Sequence, residues 1–259
     1  MDGLTVTDAQ LQSWLQTLIW PMVRIGGLMM AAPVIGDRAT PARVRLMLIL
    51  ALTLLLVPAL PAPPVIAPFT ADWWLRTAEE LLLGVLLGFV LKLIFEAAVL
   101  AGELVGNSMG LGFARMADPV RGVSVPVVGQ FYNTLFVLLF LSFGGHLRLI
   151  ELLAGSLRLA PDPARVLLPQ ALYEVVGFLS QTFAGGLSLA LPAVAALLLV
   201  NLAFGVMSRA APALNATSVG FPLSLTAGMI LIWLSAPTID DVFERLWLSA
   251  TSLITLLLE

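Results

Sequence analysis

The sequence predicts an all-α, polytopic membrane-associated protein of about six to seven hydrophobic helices arranged as hairpins. Three observations carry that expectation. Of 259 residues, 59% are hydrophobic and 11% charged, whereas soluble domains run at roughly 45–50% apolar and 25% charged. The mean hydropathy is +1.00. The apolar residues are gathered into runs approaching the ~20 residues of a spanning helix, and the loops between them are too short to hold an extramembrane domain. Formal charge is only −3, with no basic face for nucleic acid, and there is no cysteine for disulfides, thiolate metal sites or nucleophiles.

In chain order the runs are 15–35, 44–60, 81–101, 131–153, 175–204, 221–235 and 246–258. The N-terminal MDGLTVTDAQ is acidic, whereas a cleavable signal needs a positive segment before its apolar core, so the first run is expected to be retained. That run carries Pro21 and Arg24 near its middle; the second is short, and the sixth ends at Pro237. A charge at mid-bilayer costs at least about 2.5 kcal/mol, so such helices are expected to lean on protein rather than lipid. The last run, behind Asp240, Asp241 and Glu244, fits a span or an interfacial position equally. Arg38, Arg43, Arg45, Arg115, Arg121 and Arg209 fall on one side of this topology, and Arg76, Arg148, Arg158, Arg165 and Arg245 on the other. The positive-inside rule therefore sets no orientation.

The third run is the most informative if its helix continues to about Gly112. At about 100° per residue, Lys92, Glu96, Glu103 and Asn107 share one polar stripe. Gly84, Gly88, Gly102, Gly106 and Gly110 form an adjoining groove, a small-residue face that lets another backbone approach closely. A helix over 81–112 would be about 48 Å long, beyond a hydrocarbon core of about 30 Å, so it is expected to be broken or to project. Glu96 and Glu103 fit a relay in a proton-coupled secondary transporter. They equally fit carboxylates that bond to neighbouring helices and fix assembly, and Lys92 one turn from Glu96, with the groove alongside, favours that second reading.

Residues 106–122, GNSMGLGFARMADPVRG, are too glycine-rich for a continuous helix and too apolar for an ordinary wet loop. Irregular backbone at membrane depth needs surrounding protein or a cavity. The deformable Met109, Phe113 and Met116 suit a gate over a lumen, while an interfacial turn on lipid headgroups is the alternative. His146, in FGGHLR, fits an interfacial cap better than a proton shuttle. Arg209 ends an apolar run, where it complements the helix dipole. The sequon Asn215–Ala216–Thr217 stands without other signs of glycosylation. No Walker loop, nucleophile elbow, HExxH or Cys/His cluster occurs. No enzyme, metal or cofactor is expected, and an intramembrane hydrolase would have only His146 as a base.

Four blocks resemble the FliR-type (SctT-type) membrane component of flagellar and virulence type III export gates. They are WPMVRIGGLMMAAPVIG (20–36) followed by Pro41 and Arg43/Arg45, AGELVGNSMGLGFARMADP (101–119), FLSFGGHLRLIELLAGSL (140–157), and LALPAVAALLLVNLAFGVMSRAAPALNATSVGFPLSLTAG (189–228). The resemblance implies a structural and gating subunit that joins FliP-like and FliQ-like subunits, works with FlhB-like and FlhA-like export proteins, and passes unfolded flagellar substrates. The implied location is the flagellar basal body in the bacterial inner membrane. It also implies a FliP-like part over 1–174 followed by a FliQ-like hairpin and tail over 175–259. A channel plug is implied at Met109, Gly110, Leu111, Gly112, Phe113, Ala114, Arg115 and Met116. Arg209, Pro212, Asn215, Gly220, Phe221 and Pro222 match a signature loop of the family, and a packing role is expected for most of them. Asn107, Ser108 and Arg115 make this plug segment more polar than an all-apolar seal.

Overall fold

A computed structural model describes residues 8–37, 40–61, 64, 66–112, 127–159, 162–166, 168–210 and 219–258. Among the described residues there are eight α-helices and no strand: α1 (Asp8–Ala31), α2 (Ala42–Leu56), α3 (Ala71–Ser108), α4 (Val127–Ser142), α5 (Gly145–Leu159), α6 (Pro169–Ala210), α7 (Phe221–Leu234) and α8 (Ala236–Leu258). The all-α, polytopic reading of the sequence holds. Among the described residues, three helices are long and apolar enough to cross a membrane, α2 with the short turn after it, α3 and α6; the number rises to five if α4 with α5 and α7 with α8 each make one broken span.

Several boundaries differ from the hydropathy pattern. The run 131–153 is two helices, because Gly144 takes φ +68 between them, a left-handed conformation that glycine enters without steric cost. The last run begins ten residues earlier than expected, at Ala236. Ile239, Val242, Phe243, Leu246 and Trp247 are buried while Asp240, Asp241 and Glu244 are exposed, so the first half of α8 is amphipathic rather than uniformly apolar. α7 and α8 meet at Ser235 with a bend of 57°. Pro237 explains the break: it lacks the N–H that a continuous helix needs there, but it fits the first turn of a new one. α1 is not among the three apolar spans.

α3 is continuous over 38 residues. At 1.5 Å per residue it is about 57 Å long, nearly twice the ~30 Å hydrocarbon core, and it is not broken. Thr70 starts it, its hydroxyl accepting from the Trp73 N–H at 3.4 Å, with Asp72 in the first turn complementing the helix dipole.

The chain divides into two compact units: Met1–Lys92 with Gly144–Phe178 and Ser249–Glu259, and Leu93–Phe143 with Leu179–Leu248. In the first, α1 lies against the first half of α3. A Cβ placed at Gly84 would stand 2.1 Å from the Arg24 carbonyl oxygen, and one at Gly88 would stand 2.7 Å from that of Leu28. In the second, α4 crosses the end of α3 at paired glycines, where a Cβ on Gly102 would meet Gly129 Cα at 2.4 Å. Its core is aromatic: Phe136 contacts Phe95 and Phe243, and Phe140 contacts Phe95 and Trp247, at centroid distances of 5.3–6.5 Å. Edge-on pairs of this kind contribute beyond their buried area.

Candidate functional site

Within the second unit, the end of α3 is closed by a complete set of hydrogen bonds. The Met109 N–H continues the helix to the Val105 carbonyl at 2.9 Å. Gly110 N–H then donates to Asn107 O, and Leu111 N–H to Gly106 O, both at 3.0 Å. This is a Schellman pattern, and its left-handed residue is Gly110, with φ +83. Gly110 thus terminates the helix, while Gly84, Gly88 and Gly102 lie on packed faces and a Cβ on Gly106 would make only ordinary contact with Val128, at 3.5 Å.

Met109 is buried, and its thioether lies over Gly228 of α7. Next to it a cavity of about 650 Å³ opens, lined by Asn107, Met109, Asn201, Phe204, Phe221 and Ser224 among others. Gly110 and Gly220 line it too. The start of the glycine-rich loop, one end of the polar stripe and the entry to α7 therefore converge on one space. Phe113, Ala114, Arg115 and Met116 of the expected plug, and Pro212 and Asn215 of the signature loop, lie outside the described residues. Leu111 and Gly112 are partly exposed. Arg209 is exposed in the last turn of α6, and Pro222 sits in the first turn of α7, where its missing N–H costs nothing.

The polar stripe faces away from the packed side of α3: Lys92, Glu96 and Asn107 are exposed and Glu103 is half-buried. Among the described residues, no group of His, Asp and Glu could hold a metal ion. His146 is exposed at the start of α5.

Two constellations escaped the sequence reading. In the second unit, Asn201 Nδ2 donates to Ser108 O at 3.1 Å and Asn201 Oδ1 accepts from Ser224 Oγ at 2.8 Å. A lone asparagine within LLLVNLAF was the available signal, since an amide in an apolar helix needs partners. In the first unit, the buried Arg24 donates to Glu80 at 2.6 Å and to Ser156 O at 2.5 Å. Arg76 pairs with Glu80 and Asp162, each at 3.0 Å, and its guanidinium lies 5.4 Å from the centre of the Trp20 ring.

Residues 15–250 match the family described as bacterial export proteins, family 1. The chain belongs to this family, the FliR family. It is 38% identical to the flagellar biosynthetic protein FliR of Escherichia coli K12 over 245 residues, 94% of this chain and 93% of that protein. It is 40% identical to the FliR of Pectobacterium carotovorum over 244 residues, with the same coverage. The FliR of Bacillus subtilis is 28% identical over 216 residues, covering 81% of this chain and 82% of that protein. The resemblance read from the four sequence blocks is therefore correct at the level of the family.

Proposed function

We propose that this FliR-family chain is a structural and gating subunit of the flagellar type III export gate in the bacterial inner membrane. It assembles with FliP-like and FliQ-like subunits, meets FlhB-like and FlhA-like export proteins, and lines the path of unfolded flagellar substrates. Residues 1–174 act as a FliP-like part and 175–259 as a FliQ-like hairpin and tail. The loop from Met109 to Met116 closes the lumen, so the chain works sterically rather than catalytically.

The observation that carries this reading is the convergence at the end of α3. A long helix stops at a glycine-bearing cap, and the loop departs beside a cavity lined by bulky, deformable Met109, Phe204 and Phe221. The left-handed Gly110 gives that loop an abrupt change of direction at a fixed point. Support from the comparisons is near-complete coverage by proteins named for flagellar biosynthesis.

Deleting residues 110–114 from the assembled gate tests the plug. The expected result is a complex of unchanged composition by native mass spectrometry that passes ions and small solutes across a vesicle membrane. A gate that stays tight after the deletion removes the plug role. Co-expression of this chain with FliP-like and FliQ-like subunits tests the assembly separately, because a chain that remains a monomer beside them contradicts it.

A further inference from the structure

The last four carbonyls of a helix have no partner within it and must find one elsewhere. At the end of α3, Val105 O is taken by Met109 N–H, Gly106 O by Leu111 N–H and Asn107 O by Gly110 N–H. The fourth, Ser108 O, accepts from a side chain ninety-three residues away in sequence, Asn201 of α6. The same amide accepts from Ser224 of α7. A carboxamide is suited to this position because it both donates and accepts; aspartate lacks the donor and leucine lacks both.

The next residue is held differently. A Cβ at Gly228 would stand 2.5 Å from Met109 Cγ and 2.6 Å from its sulfur and terminal methyl, so the Met109 side chain fills the space that the missing Cβ leaves. Consecutive residues, 108 and 109, are thus fixed by two unrelated contacts, a polar one from α6 and a steric one on α7. Beyond them Gly110 turns the chain away.

From this geometry we infer that Asn201, Ser224 and Gly228 form a seat that fixes the base of the loop and so sets its closed position. They are positioning residues, acting through Ser108 and Met109. The inference rests on the gating reading of the loop. It adds that α6, through Asn201 on Ser108, and α7, through Gly228 on Met109, together hold the gate shut.

The protein has no cysteine, so Leu111→Cys places a single thiol just past the seat. The experiment measures its alkylation rate in the assembled gate, alone and combined with Asn201→Leu, Asn201→Asp, Ser224→Ala, Ser224→Thr or Gly228→Val. Asn201→Asp and Ser224→Ala, each removing one hydrogen bond of ordinary net strength, are expected to speed alkylation about fivefold, and Asn201→Leu, which removes both, by more. Gly228→Val, which displaces Met109, is expected to do the same. Ser224→Thr keeps the hydroxyl and is expected to stay slow. Ion leak through the same complexes is expected to rise in step, with composition checked by native mass spectrometry. Unchanged alkylation in intact complexes overturns the seat. Faster alkylation without leak, in a preparation where deletion of 110–114 does leak, overturns its role in closure. If the deletion itself leaves the gate tight, the plug reading fails, and the alkylation rates still decide whether the seat exists. Should the Asn201 and Gly228 variants fail to assemble, Ser224→Ala against Ser224→Thr decides the matter alone.

Discussion

Glu80 holds two arginines, one of them fully buried, on the packed face between α1 and α3. The Arg24 side chain is 1% exposed and that of Glu80 4%, whereas Asp162, the outer partner of Arg76, is 50% exposed. The attraction in a buried pair is largely offset by desolvation, but removing one member leaves a charge with nothing to balance it. Glu80→Gln is therefore expected to cost about 3–5 kcal/mol, and Asp162→Asn, at the solvated end, less than about 1 kcal/mol. Thermal unfolding of the detergent-solubilised chain, followed by tryptophan fluorescence, measures both. Equal effects from the two substitutions would show that the buried pair does not anchor α1 to α3. Sequence alone signals half of this arrangement. Arg24 in an apolar run demands a partner, but the partner is 56 residues away on another helix, and nothing local in either segment pairs them. Asn201 is the same case, since its need for partners is visible and their identity is not.

Helix packing depends on glycines that look alike in sequence and differ in surroundings. A Cβ at Gly84 would stand 2.1 Å from the Arg24 carbonyl oxygen, a backbone atom that cannot rotate away, while one at Gly155 in α5 meets nothing within 4 Å. Replacing a helical glycine by alanine otherwise stabilises by about 0.5–1 kcal/mol, through lost freedom of the unfolded chain. Gly155→Ala is expected to raise the melting temperature by a few degrees. Gly84→Ala is expected to lower it, because α1 and α3 must separate to admit the methyl group. Melting curves of the two single variants decide, and the same sign for both would contradict the close approach at Gly84. The spacing of Gly84, Gly88, Gly102 and Gly106 was legible because small residues at helical intervals have one common use in apolar helices. The partner helices were not legible, and they differ: α1 lies on the first two and α4 on the last two. Gly110 shares the spacing but ends the helix, a role set by its φ of +83. The break at Gly144 has the same origin, and α8 was read as starting too late because its first half alternates between core and solvent.

At the scale of the whole molecule, much of the apolar surface is not covered by the chain itself. Only 6% of the α2 span and 22% of the most apolar stretch of α6 is buried, against 61% for α3. Uniformly apolar helices of that kind are satisfied by lipid or by other apolar subunits. The uncovered face of α3 is different, because it carries Lys92, Glu96, Asn107 and the half-buried Glu103 within a span apolar enough to cross a membrane. Charges at mid-bilayer cost at least about 2.5 kcal/mol each, so this face is poorly suited to lipid and well suited to a polar partner surface. The paired variant Glu96→Gln with Glu103→Gln tests the assignment without changing side-chain shape. A charge-assisted hydrogen bond contributes about 1.5–3 kcal/mol, so the ratio of assembled to free chain is expected to fall by roughly tenfold or more. Native mass spectrometry of the co-expressed subunits reads that ratio, with the melting temperature of the isolated chain as the control for folding. A complex that forms at full yield but loses proton-driven transport would instead make the two carboxylates a relay, and the stripe a pathway rather than a joint.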